Sequence, residues 1–225
     1  MLKINNISKS FRKHDKSLVT AIKNISLEVK SGEFQLVQGP SGCGKSTLLF
    51  AAGILLKPDH GSVFIDHNDT YGMDKNQQAF FRAKNIGFVF QQFHLLPYLN
   101  ARENILAAHI PLKGSAMNQK DQCIRLEGLL EKLGITHCAD QKPYQLSIGE
   151  QQRVAVARAL FNQPKIILAD EPTGNLDKEN ALIVLDFLSD FALQGGAVLM
   201  VTHSEYPVRG VSNIIKINQG HLVSD

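Results

Sequence analysis

Several things are scarce in this sequence, and each scarcity excludes something. Cysteine occurs three times in 225 residues, at Cys43, Cys123 and Cys138, with no C-x-x-C spacing. An odd, unpaired set argues against a disulfide framework and suits a reducing compartment. Long apolar runs are missing. The longest strongly apolar stretch, Leu48 to Leu56, is too short to cross a bilayer. The opening residues Met1-Leu2-Lys3-Ile4-Asn5-Asn6 carry no signal-peptide apolar region. If the chain works at a membrane, the expectation is that another chain supplies the membrane spans. Charge imbalance is slight: a net charge of +3 is too mild to argue for a nucleic-acid or anionic-membrane partner. What is left is ordinary for a globular α/β domain, with 44% hydrophobic and 20% charged residues and enough length for a sizeable core.

One stretch is far from ordinary. Gly39-Pro40-Ser41-Gly42-Cys43-Gly44-Lys45-Ser46-Thr47 satisfies G-x-x-x-x-G-K-[ST]. The apolar run Phe34 to Val37 leads in like a strand, and Leu48-Leu49-Phe50-Ala51-Ala52 leads out like a helix. In that context the glycines let the backbone fold into a nest of N–H groups aimed at phosphate oxygens. The helix N-terminus adds the positive end of its dipole. Lys45 can then reach the β- and γ-phosphates, and the Ser46 hydroxyl can ligate magnesium. Cys43, in the loop just ahead of the helix, is expected to be a reactive thiol that maleimide modifies and ATP protects.

Along the chain, Leu2 to Ile7 and Ala21 to Val29 read as strands, with a polar, basic loop from Lys9 to Ser17 between them. Phe11 in that loop either stacks on a purine base, with Arg12 or Lys13 near phosphates, or simply packs down on the surface. Gly61 to Asp66 reads as a strand, Asn68 to Lys84 as part loop and part helix, and Ile86 to Phe90 as a buried strand ending at Gln91. The apolar segment Phe93 to Leu99 has no helical period. It either covers the core or forms a docking groove. Arg102 to Leu133 is helical in pattern, broken near Pro111 and Gly114, with an amphipathic later part at Ile124, Leu126, Leu129, Leu130 and Leu133. No strand pattern appears from Gln92 to Gln145.

Ser147 and Glu150 form an S-x-x-E capping box at the head of a helix running to about Asn162. That helix start is a second candidate anion site, or an ordinary well-capped helix. Ile166 to Ala169 is a buried strand ending in Asp170-Glu171, a carboxylate pair too costly for a core. Beside a nucleotide, Asp170 would serve magnesium and Glu171 an attacking water. Asn175-Leu176-Asp177 lies in a loop, and Leu182 to Leu193 reads as a helix. Ala197 to Val201 is another buried strand, ending at Thr202-His203, and a hairpin closes around Gln219-Gly220. The phosphate loop, Gln91, Asp170-Glu171 and His203 each follow an apolar strand. A parallel sheet would bring all four to one edge, where α/β ligands bind.

With these residues laid out, the chain resembles the nucleotide-binding subunit of an ABC transporter over nearly its whole length. Leu146 to Glu150 resembles the LSGGQ signature, Ile166 to Glu171 the Walker B strand with its catalytic glutamate, and Asn175 to Asp177 the D-loop. Gln91 matches the Q-loop glutamine, His203 the switch histidine, and Phe11 falls where the family has its adenine-stacking aromatic. The surroundings of Gln91 and Glu171 look like the lipoprotein-releasing and macrolide-export branch, which also holds a cell-division ATPase.

The resemblance implies an α/β fold: a P-loop NTPase, RecA-like core with a parallel sheet, an antiparallel β subdomain and an inserted α-helical subdomain. Residues 1–91 and 163–225 would form the core with its β subdomain, and 92–162 the helical part. It implies ATP and Mg2+ as ligands. Phe11, Gly39, Ser41, Gly42, Cys43, Gly44, Lys45, Ser46 and Thr47 would bind ATP, and Ser46, Gln91 and Asp170 would organise the metal. Glu171, His203, Gln91 and Lys45 would be catalytic, while Ser147, Gly149, Glu150 and Asp177 act in trans on the ATP of a partner ATPase subunit in a homodimer or pseudo-dimer. A membrane permease would dock near Gln91 to Leu99, placing the chain at the cytoplasmic face of the membrane, with no nucleic-acid partner. The expected task is energising export or release of an amphiphilic substrate such as a lipoprotein, peptide or drug. The alternative is a regulatory ATPase that moves a membrane complex without transport. Two departures stand out: Ile148 replaces the first signature glycine, and Glu150 replaces its glutamine. The capping box is expected to turn the Glu150 carboxylate back onto the Ser147 N–H.

Overall fold

The structure, a computed structural model, describes residues 1–12, 17–112, 114, 117–203 and 207–223. Its centre is a sheet of six strands in the order β10(His221–Val223), β9(Val211–Asn218), β3(Phe34–Gln38), β8(Ala197–Thr202), β7(Ile166–Asp170) and β6(Ile86–Phe90). All neighbours are parallel except the edge hairpin β9–β10. The middle strands are apolar at nearly every position because both faces are covered. Ile166, Leu168, Leu199 and Val201 pack into one core with α1(Lys45–Ala52), while Ile167, Ala169, Val198 and Met200 pack into the other.

The first of those cores is shared with an antiparallel sheet ordered β2(Leu18–Val29), β1(Leu2–Arg12), β4(His60–Ile65), β5(Asn68–Asp69), through Leu2, Ile4, Ile22, Ile25 and Val63. The second is closed by α3(Ala101–Leu106), α4(Gln119–Lys132), α5(Ile148–Leu160) and α6(Lys178–Leu193). Between β5 and β6 lies α2(Lys75–Asn85), started by an Asp74–Gln77 capping box.

The fold class read from the sequence is the one observed, with local differences. Lys9 to Arg12 is strand rather than loop: β1 continues, with Lys9 opposite Ile22 and Phe11 opposite Val19. Asp59 pins this extension, accepting from Lys9 Nζ at 2.7 Å and the Ser10 N–H at 2.8 Å. Long-range pairing overrides the polar local composition. Lys13 lies outside the described residues. In α4, Leu126, Leu129 and Leu130 are buried but Ile124 is 63% exposed. It stands two residues from Leu126, about 200° around the helix, and faces away from the core. The last long helix begins at Lys178 rather than Leu182, because the Asp177 carboxylate caps it by accepting from the Asn180 N–H at 2.9 Å. Among the described residues no helix is long and apolar enough to cross a membrane.

A nucleotide site at the C-terminal edge of the sheet

The loop after β3 turns twice through positive φ, at Gly42 (75°) and Gly44 (107°). Gly44 is also the N-cap of α1, and a Cβ there would come within 2.2 Å of the Ala21 carbonyl. Only glycine satisfies both the conformation and the close approach. Gly44 offers no side chain to cap this helix start, and the first turn contains no acidic residue. The exposed N–H groups and dipole are therefore available to an external anion. Lys45 is 6% exposed, and its Nζ donates to the Gly39 and Pro40 carbonyls at 2.7 and 3.0 Å. The side chain lies folded over the loop.

A cleft of about 190 Å³ opens here, lined by Ser41, Gly42, Lys45, Ser46, Thr47 and Glu171 among others. Ser46 Oγ donates to Asp170 Oδ1 at 3.0 Å across 124 residues of sequence. Burial pushes the Asp170 carboxyl above its ordinary value, partly offset by that hydrogen bond. Glu171 sits at φ 47°, a left-handed conformation that costs about 1–3 kcal/mol in a non-glycine residue. Its N–H donates to the Val201 carbonyl at 2.9 Å, which holds the turn. One carboxylate oxygen is 4.0 Å from Lys45 Nζ, and the other is 2.7 Å from His203 Nδ1. Four strands thus deliver groups to one edge: the loop from β3, Gln91 from β6, Asp170-Glu171 from β7 and His203 from β8.

Not every candidate lines the cleft. Gln91 is tied to Asn175, donating from Nε2 at 3.5 Å and accepting at its own carbonyl from Asn175 Nδ2 at 2.9 Å. Phe11 is 43% exposed on β1 opposite Val19, two residues up β2 from Ala21 at the cleft wall. Gly39 and Cys43 do not line the cleft. Cys43 is 5% exposed and belongs to the core under α1, so the expectation of a maleimide-accessible thiol is corrected. Its position ahead of a helix misled because the side chain turns inward.

Ser147, Gly149, Glu150 and Asp177 form a second cluster that does not line the cleft. Glu150 Oε2 accepts from the Ser147 N–H at 2.8 Å and from Ser147 Oγ at 2.7 Å, closing the capping box. Oε1 lies 2.8 Å from His137 Nε2. The Ser147 hydroxyl and N–H, with His137 beyond them, hold the Glu150 carboxyl down to about 2. A Cβ on Gly149 would fall 2.2 Å from Asn180 Oδ1. Asn180 also accepts from Arg153 Nη1 at 2.7 Å and donates to both Asp177 oxygens. It joins the two helix starts, yet sequence reasoning passed over it. The D-x-x-N cap spacing was the available signal. His137 was missed as well, and no motif marks it.

A parallel sheet with a glycine-rich phosphate loop and an acidic pair at its C-terminal edge defines a P-loop nucleotide hydrolase. The family model described as ABC transporter matches residues 22–174. An uncharacterized ABC transporter ATP-binding protein of Methanocaldococcus jannaschii, MJ1508, is 42% identical over 99% of this chain and 98% of its own. The macrolide export ATP-binding/permease protein MacB of a Shewanella species is 40% identical over the whole of this chain, which spans 34% of MacB. The dimeric ATP-binding cassette MJ0796, solved in a post-hydrolysis state with ADP and Pi, superposes with a TM-score of 0.90 at 40% identity, over 99% of this chain and 96% of that one. This chain belongs to the ABC transporter family and is an ATP-hydrolysing cassette.

Proposed function

We propose that this cassette binds ATP with Mg2+ at the loop after β3, closes on it with a second ATPase subunit, and drives a membrane permease that exports or releases an amphiphilic substrate. The observation that carries the reading is the convergence of Lys45, Ser46, Asp170, Glu171 and His203 at one sheet edge. Phosphate oxygens would replace the Gly39 and Pro40 carbonyls as partners of Lys45 Nζ. Charge developing on the γ-phosphate would be met by that ammonium and the loop N–H groups. Glu171 orients and polarises the attacking water, and His203, bonded to its far oxygen, fixes the carboxylate and supports the γ-phosphate. The oxygen-only pair Ser46 Oγ and Asp170 suits a hard cation, with Gln91 joining after release from Asn175. Bound there, Mg2+ would neutralise phosphate charge. Phe11 stacks on the adenine.

Ser147, Gly149, Glu150 and Asp177 stand outside the cleft of their own chain, which supports their acting on the ATP of a partner. The dimer of the related cassette supports the same arrangement. The helical region 92–162 is then the part that swings Ser147 toward that ATP. For the permease, a cleft of about 420 Å³ lies beside the predicted Gln91–Leu99 segment, lined by Arg82, Phe88, Phe90, His94, Pro111 and Arg158 among others. Relatives named as ATP-binding/permease proteins for macrolide or pyoverdine export support a permease partner and the export direction. The chain would then sit at the cytoplasmic face of the membrane.

Size exclusion of the Glu171→Gln variant tests this. A dimer that forms only with ATP supports the composite site and the catalytic carboxylate. A monomer with and without ATP would mean that the Ile148, Glu150 signature does not close on a second copy, and that a permease or a different ATPase subunit must complete the site.

A further inference from the structure

Beside the signature helix, Glu150 meets two side chains, His137 and Cys138, to which the ATP reading assigns no role. His137 and Cys138 end a short 3-10 turn, Thr136–Cys138, and Glu150 sits in the first turn of α5. A His137 ring nitrogen, Cys138 Sγ and a Glu150 carboxylate oxygen all lie within 4.8 Å of one another. We propose that these three atoms form a binding site for a thiophilic divalent cation of the Zn2+ class, with a fourth tetrahedral position open to water.

Geometry and donor chemistry carry the proposal. Metal–ligand distances of about 2.0–2.3 Å set tetrahedral ligand atoms roughly 3.5 Å apart, so the present spread closes with a shift of about an ångström. Both carriers of the ligands are held in place. The turn is fixed by the Cys138 N–H bonding to the Ile135 carbonyl and the Ala139 N–H to that of Thr136, both at 3.3 Å. The Glu150 side chain is fixed by the capping box, whose Oε2 bonds leave Oε1 turned to His137. One thiolate, one imidazole and one carboxylate select Zn2+ or Co2+ over Mg2+, which prefers oxygen donors and retains its waters.

Access comes from the His137 side, where the ring is 63% exposed, whereas Cys138 is 1% exposed. The Cys138 thiol donates to the Ile135 carbonyl at 3.3 Å. On coordination its proton leaves to solvent as the thiolate forms. Arg153 stands nearby; its positive charge opposes the cation but favours the Cys138 thiolate, and its Nη1 donates to the neutral Asn180 amide. A bound ion would replace the His137···Glu150 hydrogen bond and tie the turn to the head of α5, leaving the Ser147 cap intact. The site does not depend on the ATP reading.

The test is a Co2+ titration of the untagged full chain, without nucleotide and in excess Mg2+ so that oxygen-only sites are occupied. The expected result is one equivalent bound with a thiolate-to-cobalt charge-transfer band, displaced by Zn2+. The band should vanish in Cys138→Ser and persist in Cys43→Ser and Cys123→Ser. The cluster at Glu171 and His203 contains no sulfur and cannot produce it. Because Cys138 is buried and its variant can misfold, His137→Ala is the second probe. Its affinity should fall at least about tenfold, and the Zn2+-induced rise in unfolding temperature should disappear. Absence of the band, its survival in Cys138→Ser, or an unchanged affinity in His137→Ala would leave His137 and Glu150 as a hydrogen-bonded helix cap and overturn the proposal.

Discussion

Two helices of this cassette begin at chemically opposite N-termini. At α1 the N-cap is Gly44, which has no side chain to cap the helix, and no acid stands in the first turn. At α5 the N-cap is Ser147, and Glu150 returns its carboxylate to the Ser147 N–H and hydroxyl, with His137 behind it. Both starts carry the same partial positive charge. At α1 that charge is left unspent for an external phosphate, with the Lys45 ammonium folded alongside. At α5 it is already satisfied from within. An open helix start is prepared to bind tightly by itself. A filled one can engage an anion only after its internal carboxylate has moved or the approaching group has displaced it.

The contrast is sharpest at Glu171, which lines the cleft at the open start. Glu171→Gln should lower phosphate release by about 10³-fold while ATP still binds. Retained turnover would remove Glu171 from the chemistry. Gly44→Ala attacks the geometry that keeps α1 open. A Cβ 2.2 Å from the Ala21 carbonyl at φ 107° should destabilise the fold by about 3 kcal/mol, read as a lower denaturation midpoint. A neutral result would show that the loop has room to relax. At the filled start, Glu150→Gln keeps a capping box while removing the charge, so ATPase should change tenfold or less, ~1.4 kcal/mol. A larger change would mean that the carboxylate reaches the partner's ATP. The smallest effect is expected from maleimide: Cys123, which is exposed, should label in the native chain while buried Cys43 stays unmodified and ATPase is unchanged. Rapid Cys43 labelling blocked by ATP would restore the reactive-thiol reading.

Much of this was legible because local signals agreed with the global fold. The apolar runs at Phe34, Ile86, Ile166 and Ala197 were strands buried on both faces, and each ended at a residue that the sheet then carried to one edge. The Ser147–Glu150 box was visible as a spacing and is present as a pair of bonds. Failures came where distant partners decide. Lys9 to Arg12 reads as a polar loop until Asp59 and β2 are placed beside it. Cys43 reads as a loop thiol until the core beneath α1 takes it in. Asn180 reads only as the third residue after a capping Asp177 until Gly149 and Arg153 meet it.

The sequence by itself determined which residues can bind phosphate, hold a cation or cap a helix, since those properties reside in residue type and short spacing. Tertiary structure alone decided which of them meet. Ser46 finds Asp170, and Glu171 finds both Lys45 and His203, because parallel pairing aligns strand ends from remote parts of the chain. His137 and Cys138 find Glu150 because a short turn packs against the head of a helix. Pairing and packing are long-range, and no local pattern encodes them.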